Sequence, residues 1–202
     1  MADVSQGFRA RNPNGLQFGV PFGVMNAAPS ATRFGAPLRW LHWIMALAIC
    51  SAWALVYSKG LFAKGSAGRD FLTHAHILAG LSVLALLPVR ILARLGSPQP
   101  PIIPAPGPLA AQLAKWVHVL LYVGMLATPV LGILFVQAAG KEIAFLGYTM
   151  PTWIGTNKAL SHNLKEVHET LGLSMLYLVV AHVGAAIQHH TFRHDNTLRR
   201  ML

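Results

Sequence analysis

Four histidines lie inside long apolar stretches of this 202-residue chain: His42, His76, His168 and His182. An ionisable side chain within a lipid bilayer is costly and is by default a candidate functional site. Imidazole is also a common axial ligand of haem iron. The types and positions of these residues therefore predict a cofactor site built from histidines at membrane depth.

The spacing of the four histidines sorts them into two pairs. His168 and His182 are fourteen residues apart, which is about 21 Å and just under four turns of one helix, so they share a face. His42 and His76 begin two consecutive stretches that cross in opposite directions. The predicted pairs are His76 with His168 near the outer face and His42 with His182 near the inner face. Two axial histidines leave no open position on iron, which favours electron transfer over oxygen binding.

The remaining histidines are weaker candidates. His74 competes with His76, and since residues two apart on a helix face nearly opposite ways, spacing alone does not decide between them. His118 is interpreted as a quinone-site or structural residue. The others are expected in a loop (His162) or solvated at the inner interface (His189, His190 and His194). A zinc-binding or transport role would need compact clusters of ligands, which two distant pairs do not form.

Two glycines follow the proposed outer ligands at the same spacing. Gly80 lies four residues after His76, and Gly172 lies four residues after His168. A glycine one turn further along the same face lets a bulky planar ring approach the backbone. The alternative is that both glycines serve close helix packing in lipid. Packing against haem is the interpretation we favour for this pair.

The composition predicts the elements that carry these residues. The chain is 54% hydrophobic and 11% charged, against about 25% charged in an ordinary soluble domain. Four apolar stretches, at about 40–58, 75–95, 112–137 and 168–190, approach the ~20 residues that span a bilayer as a helix. The predicted fold is an all-α membrane protein, a four-transmembrane-helix bundle forming one domain over 34–202. The lone Cys50 cannot hold an iron–sulfur cluster, and without a C-x-x-C-H motif any haem must be held noncovalently.

The net charge of +10 is explained by topology, so nucleic acid binding is not indicated. The positive-inside rule places both termini in the cytoplasm. Residues 1–33 are predicted to be a flexible or partner-bound tail, 97–108 an extended proline-rich link, and 138–167 a long outer loop with a short surface segment near 145–150. The ten basic residues assigned to the inner side are Arg9, Arg11, Arg33, Arg39, Arg90, Arg94, Lys115, Arg193, Arg199 and Arg200.

Several motifs occur in the order found in one known family. They are RWLHW (39–43), HILAG (76–80), PVRILARL (88–95), PPIIPAPGP (100–108), LGYTMP (146–151), VHETLG (167–172), HVGAAIQHH (182–190) and DNTLRRM (195–201). From about Arg33 to Leu202 the chain resembles the bacterial di-haem cytochrome b561 family, most of all its small four-helix members that oxidise superoxide. The resemblance implies two b-type haems, the inner one ligated by His42 and His182 and the outer one by His76 and His168. It thereby favours His76 over His74. The tail has no counterpart in the family.

The resemblance also implies a function. The expectation is an oxidoreductase of the bacterial inner membrane that takes electrons from superoxide at the outer face and delivers them to ubiquinone. A cationic outer mouth would attract the superoxide anion; its candidate residues are Lys59, Lys64, Arg69, Lys141, Lys158 and Lys165. The candidates for the quinone site are Arg39, His118, His189 and His190 near the inner end, with a site nearer the outer face left open.

The alternative keeps the haems and changes the donor. In that interpretation the chain is a quinone-linked electron-relay subunit of a larger respiratory or dehydrogenase complex. The N-terminal tail would then contact a partner subunit.

Overall fold

The computed structural model describes residues 32–145 and 147–202. Nearly all of the predicted tail, residues 1–31, lies outside them. The order of elements is α1 (Ala36–Ser58), a 3-10 turn (Lys59–Leu61), α2 (Ala67–Leu95), α3 (Pro108–Ala138), β1 (Ala144–Phe145), β2 (Tyr148–Thr149) and α4 (Lys158–Thr191). All four helices are long and apolar enough to cross a membrane, which confirms the predicted four-helix membrane architecture.

Local sequence signals mark where the helices begin. α1 and α3 each carry a proline in the first turn, where its fixed φ suits a helix and its missing N–H is not needed. The Ser66 hydroxyl accepts a hydrogen bond from the Arg69 backbone N–H at 3.3 Å and caps α2. The Asn157 side chain caps α4 in the same way, accepting from the Leu160 N–H at 3.0 Å.

α4 begins well before its apolar stretch, and the prediction of a loop to residue 167 was wrong in its last third. Residues 158–167 are helical, including His162. Their polar side chains lower the hydropathy without opposing the helix, and ion pairs one turn apart stabilise it. These pairs join Lys165 to Glu169 at 3.1 Å and His162 to Glu166 at 3.6 Å. Nearly three turns at the start of α4 therefore extend the helix beyond the apolar stretch.

The bundle consists of two helical hairpins. α1 packs along α2, and α3 packs along α4; the hairpins meet where α2 contacts α3. α4 packs closely against α3 alone, so it stands further from α1 and α2 than the 8–10 Å of directly packed helices. This gap between α4 and the first hairpin positions the site described below.

The sides of the bundle, away from its two ends, are apolar, as expected for contact with lipid. Aromatic side chains near the helix ends, predicted to occupy the membrane interfaces, are all exposed: Trp40, Trp43, Tyr57, Trp116 and Trp153. We call the end that holds the start of α1 and the end of α4 the inner end, and the opposite end the outer end.

Residues 192–202, which we call the C-terminal clasp, fold back across the inner end. The carbonyls of Met201 and Leu202 accept hydrogen bonds from Trp43 (3.0 Å) and Arg39 of α1. Asn196 bonds to the backbone of the proline-rich link, accepting from the Ile103 N–H at 2.8 Å. The clasp thus ties α1 and the 97–108 link to α4.

The clasp is closed by an ion pair that should make it sensitive to acid. The His189 ring donates to the Asp195 carboxylate at 2.6 Å, and the Thr197 backbone N–H donates at 2.9 Å. Burial alone would raise the pKa of Asp195, but these hydrogen bonds outweigh burial and hold its pKa below the usual 3.8. A depressed folded-state pKa means that the ionised carboxylate stabilises the fold above pH 3.8, and that this contribution is lost as the pH falls through the lowered value.

We therefore expect acidification below about pH 4 to lower the unfolding temperature more in the wild type than in Asp195→Asn, because the variant has no carboxylate to protonate. Thermal unfolding across the acid range measures this difference. Parallel losses in the two proteins would show that Asp195 does not supply the acid-sensitive step.

Candidate haem sites

The outer pair of histidines faces across the gap between α2 and α4. The ring centroids of His76 and His168 are 6.3 Å apart, and the ring planes are nearly perpendicular at 89°. His74, the competing candidate, is exposed and bonds to the Asp70 carbonyl of its own helix. The structure therefore places His76 opposite His168.

The other two helices fix the orientation of the outer rings. Nδ1 of His76 donates to the carbonyl of Ala52 on α1 at 2.8 Å, and Nδ1 of His168 donates to the carbonyl of Thr128 on α3 at 2.9 Å. Such hydrogen bonds set the tautomer of metal-binding histidines and leave Nε2 as the ligand atom. All four helices thus contribute to the outer pair.

Small residues surround the outer pair. Gly132 lies against His168, and a Cβ atom at that position would be 3.2 Å from the ring Cε1. Gly80 lines the cavity between the two rings, and a Cβ at Gly172 would meet no atom within 4 Å. The predicted role of Gly80 and Gly172 in packing against haem stays a prediction, and Gly132 joins them as a residue that lets the ligand ring approach α3.

The inner pair repeats the arrangement with different helices. The rings of His42 on α1 and His182 on α4 have centroids 6.4 Å apart at an angle of 71°. His118 on α3 lies edge-on to His182 at 5.2 Å, and its Nδ1 donates to Ala114 of its own helix at 2.6 Å. Arg90 on α2 completes the group, with Nη2 3.1 Å from Nδ1 of His42.

Both pairs have the separation that a shared iron requires. Two metal–imidazole bonds of about 2.0 Å, plus ~1.1 Å from each nitrogen to its ring centroid, place the centroids about 6 Å apart. The observed 6.3 and 6.4 Å match this value. With a histidine of α4 facing one of α2 or α1 at this separation, the residues present fit a b-type haem at each pair.

An apolar layer separates the two pairs. Met175 lies seven residues from both His168 and His182 on α4 and packs in a buried cluster with Met45 and Met125. Methionine is flexible and fills irregular gaps. Gly124 makes room for it, since a Cβ there would lie 2.0 Å from the Met175 sulfur.

The loop between α3 and α4 covers the outer pair. Ile143 is buried against Leu81 and Ile133 beside the outer cavity. The Gln137 side chain, 3% exposed, donates to the Pro151 carbonyl and accepts from the Trp153 N–H, both at 2.9 Å. Gln137 therefore holds the second half of the loop against α3.

Replacing Gln137 by leucine is expected to loosen this loop, because two part-buried hydrogen bonds, to the Pro151 carbonyl and from the Trp153 N–H, are lost at about 0.5–1.5 kcal/mol each. Hydrogen exchange of residues 147–157 should accelerate. Gln112→Leu, on an exposed position of the same helix, is the matched control. Equal protection of the loop in both variants would contradict a latching role for Gln137.

Some of the residues proposed as a superoxide funnel form hydrogen bonds or ion pairs, and others are exposed on the surface. Arg69 donates to the carbonyls of Lys59 and Phe62, both at 3.1 Å, and so shapes the α1–α2 turn. Lys165 pairs with Glu169. Lys59 is half-buried and near enough to both outer histidines to act on them electrostatically. The other members of the proposed funnel are exposed: Lys64, Lys141 and Lys158.

The residues proposed for a quinone site do not converge on one cavity. Arg39 and His189 bond to the clasp, and His118 lies at the inner pair. His190 lines a cavity of about 340 Å³ at the inner end together with Thr191, His194, Asp195 and Arg199. Its buried Nδ1 has no hydrogen-bond partner among the described residues. His189, expected to be solvated, is instead paired with Asp195.

Three features of the sites escaped the sequence analysis. Arg90 was counted among the basic residues of the inner side, yet it lies within α2 and is only 8% exposed. Gly132 and the carbonyls of Ala52 and Thr128 were not singled out. A charge inside the apolar PVRILARL segment was the available signal for Arg90, whereas backbone acceptors leave no signal in side-chain types.

Comparisons with known proteins define the class. A family profile described as prokaryotic cytochrome b561 matches residues 33–202. The chain is 34% identical to cytochrome b561 homolog 1 of Escherichia coli over 170 residues, which covers 84% of this chain and 97% of the relative. It is 33% identical to the probable superoxide oxidase CybB of Yersinia pestis over 162 residues, covering 80% and 91%. Cytochrome b561 homolog 2 of Escherichia coli is 28% identical over 183 residues, covering 88% and 95%.

A multi-pass helical bundle with histidine pairs facing each other defines a membrane electron-transfer protein. The chain belongs to the prokaryotic cytochrome b561 family, which confirms the resemblance drawn from its motifs. Membership implies b-type haem as the cofactor and a bacterial membrane as the location.

Proposed function

We propose that the chain holds two b-type haems and transfers electrons from superoxide at the outer end to ubiquinone, in the bacterial inner membrane. The observation that most supports this proposal is the presence of two histidine pairs at two levels of one bundle, with ring centroids 6.3 and 6.4 Å apart. When bound, a haem at each pair would take up and release one electron, so the two sites would connect the faces of the membrane.

The protein's part is to hold the ligand rings and control access. The Ala52 and Thr128 carbonyls keep Nε2 of the outer histidines directed into the gap. Ile143 and the loop latched by Gln137 cover that end. His76 and His168 would hold an outer haem by two ligands and leave no open position, so the haem would accept electrons from superoxide without binding it.

Charge at the outer end supports an anionic donor. Superoxide diffuses as a small anion, and a cationic surface raises its encounter rate. Lys59 acts electrostatically on both outer histidines, and the exposed Lys64, Lys141 and Lys158 extend the field. Arg69 and Lys165 contribute less, because their charges serve local hydrogen bonds.

The inner end supports a quinone acceptor. Two superoxide anions supply two electrons, and a quinone takes these with two protons to give quinol, while two molecules of oxygen are released. The protons must come from the acceptor's side. His190, with an unpartnered buried nitrogen in the inner cavity, is the proposed headgroup partner, since imidazole can donate or accept a proton near neutral pH. His194 and Arg199 line the same cavity.

The decisive experiment follows haem reduction in purified, quinone-loaded protein exposed to an enzymatic superoxide source. Reduction well above the rate of spontaneous dismutation is expected, and it should be abolished by added superoxide dismutase. Lys59→Gln should slow it at low salt, with Lys115→Gln, exposed near the start of α3 at the inner end, as the matched control. An absence of superoxide-dependent reduction would rule out superoxide oxidation. It would favour the electron-relay subunit, which requires the haem sites but no superoxide donor.

A second arm tests the acceptor. His190→Ala should still be reduced by superoxide but form little quinol, so reduced haem should accumulate. His74→Ala, exposed at the other end, is the control. Undiminished quinol formation in His190→Ala would place the quinone elsewhere, including the outer-end site left open by the sequence.

A further inference from the structure

Arg90 is a buried charge without a counter-ion in the part of the chain that the structure describes. It lies in α2, is 8% exposed, and has a buried Nη1 with no hydrogen-bond partner among the described residues. Its Nη2 is 3.1 Å from Nδ1 of His42. A guanidinium stays protonated even when buried, and a charge at membrane depth is normally compensated by a partner. Arg90 therefore needs an acceptor that bears negative charge.

The described part of the chain supplies no such acceptor. Its ion pairs join histidine or lysine to Glu166, Glu169 and Asp195, and none includes Arg90. Asp195, the acidic residue at the inner end, is occupied by His189 and the Thr197 N–H. The charged and titratable groups around Arg90 are His42, His118 and His182, which offer no anion.

The present partner of Arg90 is also incompatible with iron binding by His42. A neutral histidine that ligates metal through Nε2 carries its proton on Nδ1. Arginine can only donate, so the hydrogen bond from Arg90 to Nδ1 is given up when His42 serves as a ligand. Two guanidinium nitrogens are then free at the inner site, and their planar fork matches a carboxylate.

We propose that Arg90 binds a propionate carboxylate of the haem held by His42 and His182. This inference rests on the proposed function, in that it requires a haem at the inner pair. It makes Arg90 a binding residue that selects at this site for a porphyrin with a free carboxylate. At the outer pair, backbone carbonyls occupy Nδ1 of both rings, so no arginine bonds to either ring there.

The test compares haem b with its dimethyl ester, in which both carboxylates are blocked. The full-length haem-free protein is titrated with each in detergent, as wild type, Arg90→Met and Arg94→Met. Arg94, one turn along α2 and bonded to Gln99 at 3.5 Å, is the matched control. The wild type and Arg94→Met should bind the free acid at least tenfold more tightly than the ester at one of two sites. Arg90→Met should bind both forms equally there.

A second readout is the reduction potential of the inner haem. Without Arg90 the carboxylate charge stays uncompensated beside the iron and disfavours the added electron. A tenfold shift in the reduction equilibrium, equal to 59 mV for one electron, is expected in Arg90→Met at one haem only. Arg90→Lys, which keeps the charge but not the planar fork, should fall between the two and serves if the methionine variant does not fold.

The outcomes separate this inference from the function it rests on. A wild type that shows no b-type spectrum would refute the proposed function. Two bound haems with the same preference for the free acid in the wild type and in both Arg90 variants would refute the role of Arg90 alone.

Discussion

Replacing His168 by alanine is expected to remove one haem from the protein and to leave the other in place. The His168 ring faces the His76 ring at 6.3 Å between centroids, so its loss would leave one histidine, not two, to hold a haem at the outer pair. The inner pair draws its rings from His42 and His182 and shares no ligand with the outer pair. Haem content per chain should fall by half, and the spectrum of the reduced protein should retain a single b-type component.

Three further variants test whether the two histidine pairs hold their haems independently. His42→Ala should remove the other component, and the double variant should be colourless. His162→Ala is the control, because His162 lies on the same helix, exposed and paired with Glu166, and should keep both haems. If the His168→Ala protein folds but loses both haems, the two sites are not independent.

Replacing Gly124 by leucine should destabilise the whole bundle. A Cβ at Gly124 would lie 2.0 Å from the Met175 sulfur and 2.8 Å from its Cγ, midway between the two histidine pairs. Alanine can be accommodated by rotation of the flexible methionine, but a leucine side chain cannot. Overpacking a buried contact costs about 1–3 kcal/mol, and here the strain falls where α3 packs on α4.

Thermal unfolding of the purified variants measures this effect. We expect a clear fall in the unfolding temperature of Gly124→Leu, a small one in Gly124→Ala, and weaker retention of both haems in the leucine variant. Gly184→Leu is the control, since a Cβ at Gly184 on α4 would meet no atom within 4 Å. Equal losses in Gly124→Leu and Gly184→Leu would mean that the Met175 contact does not limit packing.

The architecture was predictable because it depends on quantities that a sequence displays directly. Hydropathy over about 20 residues locates a membrane span, and helical periodicity placed His168 and His182 on one face. Depth then paired them with His76 and His42, which the structure brings to facing positions. Hydropathy fails where a helix leaves the lipid, and for that reason the start of α4 at Lys158 was missed.

The finer geometry of the sites depends on contacts between distant helices, which side-chain types do not encode. The carbonyls of Ala52 and Thr128 orient the outer rings, and any residue type would supply the same oxygen atoms. Arg90 agrees with the excess of basic residues that is expected at the inner face, so the sequence alone indicates a residue of that face and not a buried one. Its burial depends on the packing of α1, which places His42 against the guanidinium.

The C-terminal clasp has a consequence for the biosynthesis of the protein. Arg39 and Trp43, near the start of the first helix, bond to the carbonyls of Leu202 and Met201. Residues 201 and 202 follow α4 in the chain, so they leave the ribosome after all four helices have been synthesised. The inner end of the bundle therefore stays open while the helices are made and inserted. Loading of a cofactor from that end can precede closure, which awaits the synthesis of residues 192–202.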